Sequence, residues 1–284
     1  MENENNILIA KLKNEFEIIW DDLCIMIPDL KKLFPKMNIK KLGEKYAKKI
    51  AKLSDSNQNK ISAPCLLDQF IASKIGGIDS NNFCDEIKCI SDTIRTALNY
   101  ARSFHNEKIY SKIKVIIKNL IITMDDNPLS TNPDYRSRFH ELLVFNMLME
   151  CENIEVTDID YKLDNGKDCD FRCVHTDGSE LLIEVMSIHN IELNKQDDAL
   201  SFSEFINKKI QNKYDDKTKG LTHIDKFHIL PILEYDERIG DFGPTLDPTI
   251  SLPAYTVTKN ISSERIEPIL IQIEGIQNLF NKEI

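Results

Sequence analysis

Two acidic residues lie in segments that alternate like neighbouring β-strands, and their spacing is suited to metal chemistry. Asp170 lies in the run 168–171, and Glu184 interrupts the otherwise apolar run 181–186. Because the side chains of a strand alternate between its two faces, a hairpin joining these runs would bring the two carboxylates side by side. Adjacent carboxylates repel each other unless a cation lies between them. The pair therefore predicts a site for Mg²⁺ or Mn²⁺, which prefer oxygen ligands.

Turn residues delimit the strands that must carry this pair. Asn165 with Gly166 and Asp177 with Gly178 are hairpin signals between alternating runs at 154–159, 170–174 and 181–186. A helix at about 134–150 precedes the strands, and a helix at about 201–214 and a strand at 227–233 follow them, with a weaker strand-like run at 268–273 and a short terminal helix. This order predicts an α+β or α/β fold with a mixed sheet.

The part of the chain before this segment has helical periodicity throughout. Apolar residues at spacings of three and four predict helices at about 5–25, 38–53, 64–75, 83–101 and 109–120. The segment 125–137 contains two prolines and a cluster of turn residues, so it is the best candidate for a boundary. We therefore predict a helical region at 1–125 and a second domain at 126–284.

The residues around the acidic pair resemble the PD-(D/E)xK nuclease superfamily, the restriction-endonuclease-like fold, over residues 134–235. The resemblance rests on Asp170, on Glu184 with Val185 and Met186, and on Glu141 in the preceding helix. It implies that Asp170, Glu184 and the backbone carbonyl of Val185 hold Mg²⁺ or Mn²⁺. It also implies an acid on the helix, although a solvated Glu141 at the edge of an apolar face is an equally good interpretation.

One residue departs from the family pattern, because Met186 stands where the family has a catalytic lysine. A thioether carries no proton or positive charge. At 100° per residue, Lys213 and Lys209 fall within about 60° of Ile206 on the apolar face of the predicted helix 201–214. These lysines either extend from the end of that face to water, or one of them has taken over the role of the missing lysine.

Charge is distributed unevenly along the chain. The net charge is −10, yet residues 31–120 contain 18 Lys and Arg against 8 Asp and Glu. Four lysines, Lys41, Lys45, Lys48 and Lys52, share one helical face opposite an apolar seam. Such a stripe suits either a solvated surface or the phosphate backbone of a nucleic acid.

Several other classes of protein lack support in the sequence. There is no GxSxG, HExxH, Walker or GxGxxG motif, and the seven cysteines include no CxxC pair. We find no membrane-spanning run and no signal-peptide pattern, so we expect a cytoplasmic protein that does not contact membranes.

Two functional hypotheses follow from these features. The first is a metal-dependent phosphodiesterase, endonuclease-like, that acts on DNA and less readily on RNA, with Asp170, Glu184, Lys213, Lys209 and Glu141 as its catalytic residues. The second is a catalytically degenerate nuclease-like domain that binds nucleic acid or protein. Met186 favours the second hypothesis, whereas the acidic pair with Lys213 favours the first. A homodimer is compatible with either.

The lysine stripe leads to a test that does not depend on catalysis. Charge reversal of Lys41, Lys45, Lys48 and Lys52 to Glu should weaken binding to every DNA sequence alike, because phosphate contacts carry no sequence information. The wild-type affinity should fall about a thousandfold or more between 50 and 200 mM salt if the protein neutralises about six phosphates. Fluorescence anisotropy with labelled duplexes measures both effects. Unchanged binding in the variant would assign the stripe to solvent.

Overall fold

Apolar residues at helical spacing fold the first part of the chain into helices. The computed structural model describes residues 15–55, 65–76, 80–103, 106–122, 135–188, 199–222, 226–234, 255–258 and 269–271. Its first helices are α1 at residues 15–26, α2 (Asp29–Leu33), α3 (Ile39–Asp55), α4 (Leu66–Gly76), α5 (Ser80–Ser103) and α6 (Glu107–Ile121). The helices predicted in this region are confirmed within the described residues, whereas residues 5–14 of the first one lie outside them.

Polar residues begin two of these helices, and apolar residues bury one face of each. The Asn38 side chain accepts a hydrogen bond from the backbone N–H of Lys41 at the start of α3, and Asn106 caps α6 in the same way. On α5 the predicted stripe of Ile87, Ile90 and Ile94 is fully buried. These caps and stripes are the local signals that make the sequence patterns reliable here.

The second part of the chain forms a mixed sheet with helices. Its elements are α7 (Tyr135–Glu150), β1 (Ile154–Lys162), β2 (Asp168–His175), β3 (Glu180–Ile188), α8 (Ala199–Thr218), β4 (Phe227–Glu234), β5 (Tyr255–Thr258) and β6 (Ile269–Ile271). The strand order is β1-β2-β3-β4-β5-β6. The pairs β1–β2, β2–β3 and β5–β6 are antiparallel, and β3–β4 and β4–β5 are parallel. The predicted mixed α+β architecture is confirmed.

Both predicted hairpin turns are present between the first three strands. Gly166 and Gly178 have φ angles of 82° and 83°, a left-handed conformation that glycine adopts without steric cost. The sequence did not indicate β5. Of the predicted strand at 268–273 the structure describes residues 269–271, which form β6. The predicted terminal helix lies outside the described residues.

The chain divides into two compact units that interleave along the sequence. The first comprises residues 1–96 and 114–139, and the second comprises residues 97–113 and 140–284. The boundary that we predicted near residue 125 falls in the segment 123–134, which lies outside the described residues. In the second unit the rings of Phe145 and Phe171 stack with 6.4 Å between their centroids, so α7 packs on the face of β2 opposite to Asp170. No helix within the described ranges has the length and apolar character needed to cross a membrane.

Close packing inside the first unit gives a test of the fold. Gly43 lies in α3 against the buried Phe16, and a Cβ at Gly43 would approach Phe16 Cγ to 2.9 Å. Replacing a helical Gly by Ala ordinarily stabilises by about 1 kcal/mol. Overpacking of a rigid buried ring costs about 1–3 kcal/mol, so we expect Gly43→Ala to lower the free energy of unfolding.

Urea unfolding followed by circular dichroism measures this difference. Glu44→Ala, at the neighbouring exposed position, is the matched control and should change stability by less than about 0.5 kcal/mol. A Gly43→Ala protein more stable than the wild type would show that Phe16 is free to move aside.

Candidate functional site

The register between β2 and β3 brings the two predicted acids together. Phe171 pairs with Ile183 and Arg172 with Leu182, so the same antiparallel register continued by one residue sets Asp170 opposite Glu184. The backbone N–H of Val185 donates a hydrogen bond of 2.6 Å to Asp170 Oδ2. The Asp170 side chain therefore extends from β2 toward β3 and lies beside the backbone of Val185.

Glu184 is a buried carboxylate that two lysines of α8 neutralise. The residue is only 3% exposed. The Nζ atoms of Lys213 and Lys217 each lie 2.8 Å from the same oxygen, Glu184 Oε1. Because these lysines are four residues apart, they occupy successive turns of one helix face. The face of α8 that carries them is thus the face turned to β3.

Lys217 is held more firmly than Lys213. Its ammonium group also donates a hydrogen bond of 2.6 Å to the backbone carbonyl of Asp168 in β2. The Lys217 side chain is 17% exposed, compared with 36% for Lys213. Lys217 therefore ties α8 to both strands of the acidic pair, whereas Lys213 retains access to solvent.

The second oxygen of Glu184 has a different environment. Glu184 Oε2 is buried and, among the described residues, has no hydrogen-bond partner. A buried carboxylate oxygen without a partner costs free energy, since it has lost its hydration without replacement. A bound cation would take this oxygen as a ligand and so give it a partner.

The pKa of Asp170 is raised well above its ordinary value, chiefly because burial disfavours its charged form. The negative charges of Glu184 and Glu141 raise it further, and the hydrogen bond from Val185 and the charge of Lys217 oppose the shift. Glu141 itself is buried, at 8% exposure, on α7. The structure thus places the other two predicted acids, Glu184 and Glu141, within electrostatic range of Asp170.

Met186 is buried on the same face of β3 as Glu184. It is 9% exposed and pairs with Pro231 of β4. The cations near Glu184 come from α8 instead. Of the two lysines that the sequence indicated, Lys213 reaches Glu184, while Lys209 lies over the ring of Phe205 with 5.3 Å between Nζ and the centroid.

Lys217 was not among the residues predicted for the site, because the predicted helix ended at residue 214. Its signal was nevertheless present, since Lys217 follows Lys213 by four residues. The helix extends to Thr218 because the β1–β2 turn caps it: Asn165 Nδ2 donates hydrogen bonds of 2.8 and 2.9 Å to the carbonyls of Lys217 and Lys219. A turn residue far away in sequence therefore fixes the position of the lysine-bearing end of α8.

The donors at this site suit a hard divalent cation. Asp170, Glu184 and the Val185 carbonyl are oxygen ligands of the kind that Mg²⁺ and Mn²⁺ bind. The unpartnered Glu184 Oε2 fits such an ion. Within the described ranges, no group of three or more His, Cys, Asp and Glu side chains is arranged to hold a metal ion.

The predicted lysine stripe lies on α3 in the first unit. Lys41, Lys45 and Lys48 are exposed, and Leu42 and Tyr46 on the opposite side are buried. The side chain of Lys52 lies outside the described residues. The stripe is therefore solvent-facing over the part that the structure describes, as a phosphate-binding or a solvated face requires.

Comparison with known proteins finds no match for this chain among family models, curated proteins or solved structures.

The raised pKa of Asp170 gives a test of the site in metal-free buffer. The folded state holds a proton on Asp170 more tightly than the unfolded state does, so this residue's stabilising contribution is complete below its unfolded pKa, near 4, and is lost as pH rises through the raised pKa. Each unit of that shift corresponds to about 1.4 kcal/mol. Asn has no charge to bury and can still accept the hydrogen bond from Val185.

We therefore expect Asp170→Asn to be more stable than the wild type at pH 8, with a difference that shrinks toward pH 4. Urea unfolding in EDTA across this range measures it, with the exposed Asp164→Asn as the matched control. A difference that is the same at both pH values would contradict the burial of this charge.

Proposed function

We propose that this protein is a metal-dependent phosphodiesterase that cleaves nucleic acid, DNA in preference to RNA, as the PD-(D/E)xK resemblance implies. The observation that carries the proposal is the buried Glu184, which contacts two lysines of α8 and lies beside Asp170 on the neighbouring strand. This arrangement supplies acids and a positive charge at one place, although Met186 has replaced the expected lysine.

Each residue has a distinct role in this proposal. Asp170, Glu184 and the Val185 carbonyl hold Mg²⁺ or Mn²⁺, which when bound supplies a Lewis acid and a water of lowered pKa. Lys213, the more exposed of the two lysines, donates hydrogen bonds to an oxygen of the scissile phosphate. Its charge then stabilises the negative charge that develops in the transition state. Glu141 is a further acid near the pair.

The lysine stripe of α3 supports nucleic acid as the substrate class. Lys41, Lys45 and Lys48 present exposed ammonium groups on one face. A row of such charges neutralises successive phosphates without reading the bases, which suits an enzyme that acts on the backbone. The stripe would then supply affinity and the acidic site would supply chemistry.

A second candidate function is a nuclease-like domain that binds nucleic acid without cleaving it. Met186 favours it, because a thioether supplies no proton or positive charge to a substrate. The two lysines that neutralise Glu184 also suit a site that keeps its fold without a metal ion. Binding without cleavage is therefore the alternative outcome of the test below.

The test is incubation of the full chain with supercoiled plasmid, single-stranded DNA and RNA, in Mg²⁺, Mn²⁺ or EDTA. We expect cleavage that EDTA abolishes. Lys213→Met should slow it about 10²–10³-fold, the usual effect of removing one transition-state donor. Lys208→Met is the matched control, because Lys208 is exposed on the same helix, and it should retain activity within about twofold.

Further outcomes separate the two functions. Cleavage that persists in EDTA or in Lys213→Met would contradict the proposed mechanism. Binding to DNA with no cleavage under any metal condition would favour the binding module. Cleavage gained only in Met186→Lys would show that the site is a decayed form of the family's ordinary one. Circular dichroism establishes that each variant is folded.

A further inference from the structure

Glu184 Oε1 is crowded by positive charge. The ammonium groups of Lys213 and Lys217 both lie 2.8 Å from it, so this oxygen already has two cationic partners. In a site with two metal ions the ions lie about 3.5–4 Å apart and are joined by shared ligands. In this chain the two ammonium groups contact the Glu184 oxygen that a second ion would have to share.

Lys217 is not placed to leave this position. It donates to the Asp168 carbonyl at 2.6 Å, and Asn165 fixes the end of its helix through the carbonyls of Lys217 and Lys219. Its side chain is mostly buried, so withdrawal from Glu184 would leave an uncompensated charge in a dry environment. The positive charge on Oε1 is therefore a fixed part of the fold.

The donors that remain for a cation are Glu184 Oε2, Asp170 and the Val185 carbonyl. Glu184 Oε2 is a buried carboxylate oxygen without a hydrogen-bond partner in the described part of the chain. Asp170, on the neighbouring strand, lies near enough to feel the charge of Glu184, and its Oδ2 is already bonded to the Val185 N–H. A second divalent ion would meet the two ammonium groups and be repelled.

We propose that the site takes one divalent cation, held by Glu184 Oε2 and Asp170, and that the ammonium groups of Lys213 and Lys217 on Oε1 occupy the place of a second. This inference rests on the proposed function, and it assigns Lys217 a role that the sequence did not indicate. Lys217 is a positioning residue: it holds the Glu184 carboxylate so that one oxygen faces the cation.

The experiment counts Mn²⁺ ions on the full chain by equilibrium dialysis and electron paramagnetic resonance. Wild type and Glu184→Gln are compared, so that ions bound elsewhere cancel. We expect the substitution to remove one Mn²⁺ per chain, with the spectrum of an isolated ion. Loss of two ions, an exchange-coupled pair in the wild-type spectrum, or no difference between the two proteins would each overturn the inference.

A second variant tests the role of the lysines. Lys213→Met combined with Lys217→Met should bind the Glu184-dependent ion about tenfold or more tightly, because two like charges beside it are removed. Lys208→Met is the control. An affinity unchanged from the wild type would show that the ammonium groups do not share Glu184 with the ion. If the double variant does not fold, Lys213→Met alone is measured, with an increase in affinity as the same expected result.

These outcomes are separable from those of the cleavage assay. One ion with no cleavage of any nucleic acid would leave the inference standing and remove the proposed function. Two ions together with metal-dependent cleavage would overturn the one-ion inference and leave the proposed function standing.

Discussion

The burial of the Glu184 charge is the constraint on which the rest of the site depends. An ionised carboxylate taken out of water costs several kcal/mol unless opposite charges and hydrogen bonds replace its hydration. Lys213 and Lys217 supply those charges, and both come from one face of α8. The position of α8 against β3 is therefore tied to one buried carboxylate.

Other features of the second unit follow from the same requirement. Lys217 can contact Glu184 only if the last turn of α8 is formed. The side chain of Asn165, in the β1–β2 hairpin, caps that turn. The Asp168 carbonyl, in the strand that carries Asp170, accepts a hydrogen bond from the same lysine. The turn, the strand and the helix thus all contribute contacts around Glu184. A change at any of them should alter the arrangement of the acidic pair. A second, half-buried acid beside it, Asp170, is hard to explain by stability alone, because apolar residues of similar size commonly stabilise a core at least as well as buried charges. Arrangements that lower stability in this way are most often found at functional sites.

The sequence predicts the strands of this site well and its helix less completely. Two local signals predicted the strands: the position of Glu184 in the alternating side chains of an apolar strand, and the glycines of the two turns. They led to the correct hairpins and to the contact between strands β2 and β3. The contribution of Lys217 could not be read in the same way. It depends on where α8 ends, and that end is set by Asn165, which is 52 residues away from Lys217 in the chain. The short strand β5 was missed for a related reason, since four residues contain too little alternation to stand out from a loop.

The central claim, that Glu184 is stabilised by lysines of α8, is tested most directly by a double-mutant cycle between Glu184→Gln and Lys217→Met. Urea unfolding of the wild type, the two single variants and the double variant gives their coupling free energy. For a buried, hydrogen-bonded ion pair we expect a favourable coupling of about 1–3 kcal/mol, so that the double variant loses less stability than the sum of the two single losses. A coupling energy indistinguishable from zero would contradict the account, because it would mean that the fold does not depend on this pair.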